Sequence, residues 1–339
     1  MKKIFVTGGA GFIGSAFIRL ILDKTVDVEI INFDALTYAG NLDNLDGLDI
    51  TRHKFIKGNI CHKEEVFSAL PDETEAIFNF AAESHVDRSI ASASEFVLTN
   101  VLGTQILLDA ARAKKAKRFV QISTDETQGT LPEDENAFFT EESPLQPNSP
   151  YAASKAAAEH FVRAAHETFG VDTIITRCGN NYGQCQFPEK LIPLMIANAM
   201  NDEPLPVYGD GKNVRDWIFV EDHARAIWLA FEKGKSGRSY NIGARNERQN
   251  LEVIKSILDA LGKPHSLIKF VTDRLGHDRR YAINPAKVET ELGWKPQTSW
   301  EEGLQKTIEW YQENAEWVNR IRNGAYRDYY KKQYGAAIN

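Results

Sequence analysis

Two neighbouring carboxylates, Asp125 and Glu126, follow directly on the apolar run "RFVQIST". Adjacent acids are ordinary on a helix surface, but at the end of a core strand they are costly unless they act. Close carboxyls whose surroundings push their pKa values apart can serve one as acid and the other as base. The same residues could instead cap the turn that follows the strand. Further on, "YAASK" sets Tyr151 and Lys155 four apart at the start of an alanine-rich helix, hence on one face. A tyrosine with an ordinary pKa of about 10 is a poor base at neutral pH. An ammonium on the same face lowers that value, the more so beside a second positive charge. The hydroxyls of Ser123 and Thr124 at the preceding strand end could hydrogen-bond a substrate alcohol undergoing oxidation.

The second positive charge has a candidate source in "TGGAGFIG", which places Gly8, Gly11 and Gly14 between the strand run "KIFVTG" and the helical period "SAFIRLILDK". Gly8 permits a tight turn, Gly11 lets backbone approach a pyrophosphate, and Gly14 allows close helix–strand packing. The helix then points free N–H groups at the phosphates. Asp34 ends the next strand, "VEIINFD". An acid there accepts hydrogen bonds from an adenosine ribose and repels a 2′-phosphate, which favours NAD over NADP. The expected cofactor is NAD, whose oxidised nicotinamide joins Lys155 in activating Tyr151.

The elements that must position these groups alternate between short β-branched runs and longer helical periods up to about Arg177. That alternation predicts a parallel sheet with helices on both faces. The fold class expected is α/β, a Rossmann-type doubly wound parallel sheet with a smaller mixed α/β C-terminal lobe. The first lobe spans 1–176, with 217–242 returning to it. The second lobe comprises 177–216 and 243–339. The 339 residues suit this size, and 42% hydrophobic with 26% charged residues is a globular composition. The net charge of −7, with acids and bases interleaved, argues against a nucleic-acid partner. The apolar run in "MKKIFVTGG" is too short for a signal peptide, and no stretch approaches the ~20 apolar residues of a membrane span. A cytoplasmic protein is expected. Cys61, Cys178 and Cys185 have no metal-like spacing, and the eight histidines are scattered, so neither a disulfide framework nor a metal site is expected.

Tyr-x-x-x-Lys, the glycine turn and the Ser/Thr strand end together resemble the extended short-chain dehydrogenase/reductases. Further strings narrow the resemblance: "DALTYAGNLDNL", "AAESHVDRSI", "STDE", "SPYAASKA", "NNYGQCQFPEKLIPL", "RDWIFVEDHARA", "YNIGARNE" and "DRLGHDRRYAI". With them the chain is similar to the dTDP-glucose 4,6-dehydratases from Lys2 to about Trp310. The resemblance implies a lyase with tightly held NAD, acting on a nucleotide sugar in dTDP-rhamnose biosynthesis. It implies C4 oxidation aided by Thr124, Tyr151 and Lys155, removal of the C5 proton by Glu126, and protonation of the leaving C6 hydroxyl by Asp125. Hydride then returns to C6.

The same resemblance assigns pocket residues. Phe12 and Ile13 lie on the phosphate turn with the glycines. Asp34, Ala35, Leu36 and Thr37 flank the adenosine, with Asn59 and Ile60 near the adenine. Ala81, Ala82 and Ser84 line the nicotinamide side, Thr99 lies nearby, and Asn181 touches the cofactor. For the substrate it assigns Ser84, Thr124, Asn180, Lys190, Leu191, Pro206, Arg215, Asn250, Asp278, Arg280 and Tyr281. His85 and His277 are read as structural or pocket-lining. A homodimer is implied through a four-helix bundle built from "SEFVLTNVLGTQILLDAARAK" and "SPYAASKAAAEHFVRAAHETF".

Three strings depart from the family's usual form. Thr127 and Gln128 replace Val-Tyr after the acids, Gln184 and Cys185 replace Pro-Tyr, and Gly58–Asn59 replaces Gly-Asp. Lost aromatic rings near a cleft would alter ligand preference by about 1–3 kcal/mol each. On that reading a related NDP-hexose such as a UDP-sugar becomes a candidate substrate, and the question rests largely on Thr127 and Gln128. A 4-epimerase or decarboxylase on this scaffold would keep Tyr151 and Lys155 without needing Asp125 and Glu126. A non-catalytic NAD-binding protein would be expected to lose one of these groups.

Overall fold

The computed structural model describes residues 1–322 together with Tyr330 and Tyr334. Its strands are β1 (Lys2–Thr7), β2 (Val28–Asp34), β3 (His53–Lys57), β4 (Ala76–Asn79), β5 (Phe119–Thr124), β6 (Thr173–Cys178), β7 (Asn180–Tyr182), β8 (Leu205–Tyr208), β9 (Val214–Phe219), β10 (Arg238–Ile242), β11 (Glu247–Gln249) and β12 (Ile268–Val271). Its helices are α1 (Phe12–Lys24), α2 (Lys63–Ala69), α3 (Val86–Ala91), α4 (Ser94–Phe96), α5 (Thr104–Ala113), α6 (Pro150–Phe169), α7 (Leu191–Met200), α8 (Val220–Lys233), α9 (Asn250–Ala260), α10 (Trp300–Glu313) and α11 (Ala315–Ile321).

Seven strands form one all-parallel sheet in the order β10-β6-β5-β4-β1-β2-β3. Side chains alternate across it, as a period of two requires. Ile4 and Val6 face a core built with Phe17 and Ile21 of α1 and Ile227 of α8. Phe5, between them, faces the opposite core with Leu107 and Leu108 of α5 and Val162 of α6. Helices therefore cover both faces, which is why the strand runs read as continuously apolar.

A second apolar core joins Ile192 and Met195 of α7, Val253 and Ile257 of α9, and Leu304 and Ile308 of α10. It packs on the three-stranded sheet β11-β9-β7, beside the pair β12-β8. β9 lies on the seam: Trp217 and Phe219 belong to the second core, while Ile218 between them belongs to the first. From β9 the chain runs through α8 to β10 at the edge of the large sheet.

Local chemistry explains the two helices nearest the site. The hydroxyl of Ser149 caps α6 by accepting from the Ala152 N–H at 3.1 Å, Pro150 opens it, and Gly170 closes it in the left-handed region at φ 69°. The long period from Ser94 to Ala113, read as an unbroken helix, instead contains a π-helical segment at Val97–Gly103. That segment buries Asn100, whose amide bonds both the N–H and C=O of Glu83 at 2.9 Å and the Ser154 hydroxyl at 2.8 Å. Among the described residues no helix is long and apolar enough to cross a membrane, and no cluster of three metal-ligating side chains occurs.

Candidate active site

In a doubly wound sheet, ligands bind beyond the strands' carboxyl ends where the strand order reverses. Here the order reverses between β4 and β1, and a long cleft opens there, continuing towards β8 and β9. Gly8 sits on its floor at φ 70°, and a Cβ added there would lie 2.6 Å from the Ala81 nitrogen. A Cβ on Gly14 would strike the Gly8 carbonyl, so only glycine lets α1 approach the turn. α1 opens with no side-chain cap and no acid in its first turn, leaving its N–H groups for an anion. Asp34 is buried, with Oδ2 accepting from the Ala10 N–H at 2.9 Å and Oδ1 from the Leu36 N–H at 2.8 Å. Burial raises its pKa, and these donors oppose the rise. The glycine cradle, the bare helix end and the held carboxylate fit a dinucleotide with an unphosphorylated adenosine ribose.

Phe12, Ile13, Ala35, Thr37, Asn59, Ile60, Ala81, Ala82, Ser84, Thr99 and Asn181 border this cleft with the glycines and Asp34. Leu36 does not; only its N–H serves the site, through Asp34.

The acids lie where β5 ends. Thr124 closes the strand, and its hydroxyl accepts from the Glu126 N–H at 3.3 Å, opening a 3₁₀ turn over Asp125–Gln128. Asp125 is fully buried and its Oδ2 has no hydrogen-bond partner. Burial, then the charge of Glu126, pushes its pKa well above the ordinary carboxylate value, the direction a proton donor requires. Glu126 is half-buried; burial raises its pKa too, but the cations Arg274, Lys190 and Arg215 pull it back. The pair is therefore split in the sense an acid and a base require.

Tyr151 borders the same space, edge-on to Phe96 at 6.3 Å. Burial and Glu126 hold its phenol well above the ordinary value, while a hydrogen bond with Thr124 acts in the opposite sense. Lys155 donates to the Ile122 carbonyl at 2.6 Å, and burial lowers its pKa to about 8. The protein's own groups thus favour the neutral phenol, a balance that Lys155 does not reverse by itself. A further positive charge is needed, and an oxidised nicotinamide carries one.

Behind this layer lies a buried network that sequence reading missed. Glu159, one turn beyond Lys155, takes a two-pronged ion pair from Arg177, with contacts of 2.7–3.1 Å, and accepts from the Ser123 hydroxyl at 2.6 Å. Its charge opposes the drop in the Lys155 pKa. Replacing Glu159 with glutamine strands the Arg177 charge and is expected to cost about 3–5 kcal/mol in urea unfolding.

The pH dependence of kcat/KM follows from the same groups. With Glu126 as the base, activity is expected to rise as pH passes through its raised pKa. With Lys155 as the cation that serves Tyr151, activity is expected to fall as pH passes through about 8. Glu159→Gln moves that alkaline limb to lower pH, because the lysine loses its favourable neighbour. A limb that stays in place counts against the Lys155 assignment.

In the substrate half, Asn180, Lys190, Leu191, Pro206, Arg215, Asn250 and Tyr281 border the cleft. The Arg215 guanidinium stacks 4.2 Å over the Tyr281 ring and donates to the Asp278 carbonyl at 2.9 Å. The Asp278 side chain stands behind, accepting from the Tyr281 hydroxyl and, at 2.6 Å, from Asn148. Arg280 turns away from the cleft: its donors go to the carbonyls of Asp134 and Ala137 at 3.0 and 2.7 Å and to Glu247 at 2.8 Å. Neither Asp278 nor Arg280 borders the cleft, so both act as supports here. His85 and His277 do border it, and burial keeps both neutral, His277 at about 4. Arg274, within "DRLGHDRRYAI", also borders the cleft, and its charge lowers the Glu126 pKa.

The departures from the family strings lie elsewhere than expected. Thr127 is fully buried and donates to the Thr124 carbonyl at 2.9 Å. Gln128 is buried with its amide on the Thr140 carbonyl at 2.6 Å. Gln184 lies 3.5 Å from Glu221, and Cys185 packs against the second core. None of the four borders the cleft, so the argument for an altered sugar or base from lost aromatic contacts falls. Asn59 alone does, and its Oδ1 accepts from the Cys61 N–H at 2.9 Å.

Comparison with known proteins gives concordant matches. A family model described as GDP-mannose 4,6 dehydratase matches residues 5–307. The dTDP-glucose 4,6-dehydratase of Neisseria meningitidis serogroup B is 50% identical over 349 residues, covering 96% of this chain and 98% of that protein. A crystal structure of a dTDP-glucose 4,6-dehydratase from Streptomyces venezuelae with NAD bound aligns at a TM-score of 0.91 and 47% identity, covering 94% of this chain and 99% of that one. One from Bacillus anthracis in complex with NAD aligns at 0.87 and 46%, covering 95% and 100%.

Proposed function

We infer the reaction from a single premise: this chain belongs to the GDP-mannose 4,6 dehydratase family and, within it, to the dTDP-glucose 4,6-dehydratases. It is an NAD-dependent hydro-lyase that converts dTDP-glucose to the 4-keto-6-deoxy sugar. The assignment of steps to residues is our proposal. NAD, when bound, takes hydride from C4 and returns it to C6. Gly8, Gly11, Gly14 and the start of α1 hold its pyrophosphate, and Asp34 its ribose. Thr124 and Tyr151 receive the C4 hydroxyl, with Tyr151 taking its proton and Lys155 holding positive charge nearby. The 4-keto group acidifies C5, and Glu126 removes that proton. Asp125 gives its proton to the departing C6 hydroxyl, and once hydride has returned to C6 the protonated Glu126 gives a proton back to C5. Arg215 and Lys190 offer the diphosphate their charge, and Asn250 adds a polar contact.

The observation that carries this reading is the split pair Asp125–Glu126 at the end of β5, sharing one cleft with Tyr151. An epimerase has no use for such a pair. The test is a panel of dTDP-glucose, UDP-glucose and UDP-N-acetylglucosamine, read by the alkali-induced absorbance of 4-keto-6-deoxy sugars. Turnover of dTDP-glucose with preference over both UDP-sugars is expected. Inactivity on all three, or epimerisation without loss of water, overturns the assignment.

We further propose a cytoplasmic enzyme supplying a 6-deoxy sugar such as dTDP-rhamnose, in two lobes, 1–176 with 217–242 and the remainder. A homodimer is supported by exposed apolar side chains on the helical stretch 94–113 and on α6: Val97 is 54% exposed, Leu98 45%, Leu102 44% and Phe161 43%.

A further inference from the structure

The segment that follows Asp34 is a loop fastened to the phosphate turn. The Asn41 N–H and the Asn44 side chain both donate to the Ala10 carbonyl, at 3.0 and 2.9 Å. Thr37, Ala39 and Gly40 border the cleft beside Asp34, so the loop forms one rim of the dinucleotide end. Across the cleft, Phe187, Glu189 and Lys190 form part of the other rim, on the chain leading into α7.

Tyr38 bridges the two rims. Its hydroxyl donates to Glu189 Oε1 at 2.9 Å, and Phe187 meets its ring edge-on at 5.5 Å. Arg88 of α3 joins from a third element. Its guanidinium stacks 3.9 Å from the Tyr38 ring centroid, and its Nε donates to Glu189 Oε2 at 3.3 Å. The Glu189 side chain is only 2% exposed, so both carboxylate oxygens are committed within the joint. Beside it, Lys190 donates to the Ser84 carbonyl at 2.6 Å. None of these three side chains has a part in the acid–base steps assigned above.

We propose that Tyr38, Arg88 and Glu189 form a latch that joins the adenosine loop to the opposite rim and retains the dinucleotide through the catalytic cycle. The inference rests on the reading of the cleft as an NAD site. Its logic comes from the reaction: the cofactor reduced in the first half must still be present for the last. Leaving requires the rims to part, and parting them breaks the Tyr38–Glu189 hydrogen bond together with either the stacking of Arg88 on Tyr38 or its ion pair with Glu189. The three are positioning residues; the phosphate turn and Asp34 supply the direct contacts.

The test measures release of NAD from the loaded enzyme by exchange against excess radiolabelled NAD. Tyr38→Phe deletes one oxygen and keeps the ring under Arg88; Arg88→Met keeps bulk and removes the charge. Each is expected to release NAD about 10–100-fold faster, the range for losing a hydrogen bond to a charged group. With dTDP-glucose, both variants are expected to release dTDP-4-keto-glucose, an oxidised but undehydrated product, at the expense of the dehydrated one. Release within twofold of the wild type in both variants overturns the latch. Should Arg88→Met fail to fold, Tyr38→Phe decides by itself. A wild-type chain that retains no NAD refutes the cofactor reading instead, so the two failures are distinguishable.

Discussion

Glu126→Gln is expected to lower kcat for dehydration by about 10²–10⁴-fold while leaving C4 oxidation intact. The change is isosteric and removes only the ability to take a proton. Arg274, Lys190 and Arg215, whose charges lower the Glu126 pKa, remain in place. KM is therefore expected to hold or fall, since a negative charge has left their company. The two halves of the reaction then separate. Stopped-flow absorbance shows reduced nicotinamide forming and persisting, because the 4-keto sugar cannot proceed. In heavy water, deuterium no longer enters C5. Wild-type exchange into C5 in this variant would show that another group is the base.

Tyr151→Phe is expected to have a loss of the same order, reached at the earlier step. The phenol is 8% exposed and packs against Val86 and Phe96, so phenylalanine fits without a cavity. The cost is chemical rather than structural. Without the hydroxyl nothing takes the C4 proton, and no reduced nicotinamide is expected after mixing with dTDP-glucose. The signature is thus opposite to that of Glu126→Gln, where it accumulates. Unfolding in urea should match the wild type to within about 1 kcal/mol, as deleting one hydroxyl implies. A Tyr151→Phe enzyme that reduces its cofactor at the normal rate would remove Tyr151 from the oxidation step.

What could be read in advance follows from how local each signal is. The glycine turn, Asp34, the β5 acids and Tyr151–Lys155 lie in short strings whose meaning depends on neighbours in sequence. The alternation of strand and helix predicted the large parallel sheet, because residues buried on both faces leave an unmistakable apolar run. Thr127 and Gln128 follow the acids in sequence yet do not border the cleft, because adjacency in sequence is not adjacency to a cleft. The 3₁₀ turn that presents Asp125 and Glu126 rotates the next two side chains inward, towards Thr124 and Thr140. The resemblance assigns Arg280 to the substrate pocket, yet its donors are taken by a loop about 145 residues earlier. Glu159–Arg177 and the Tyr38–Glu189 contact join segments distant in sequence, and a lone chain carries no local sign of such pairings. The π-helical segment at Val97–Gly103 escaped because its apolar spacing passes for an ordinary helix.

β9 carries a last consequence. Its three terminal side chains divide between two apolar cores, Ile218 into one and Trp217 and Phe219 into the other. A hinge needs a segment whose contacts can be surrendered cheaply, and this strand has none to give. Loss of order in either core withdraws support from the strand that the other also uses. The molecule accordingly has the makings of one cooperative unit, not two foldons in series. Severing the chain near β9 would leave each fragment with an exposed apolar face and no means of covering it.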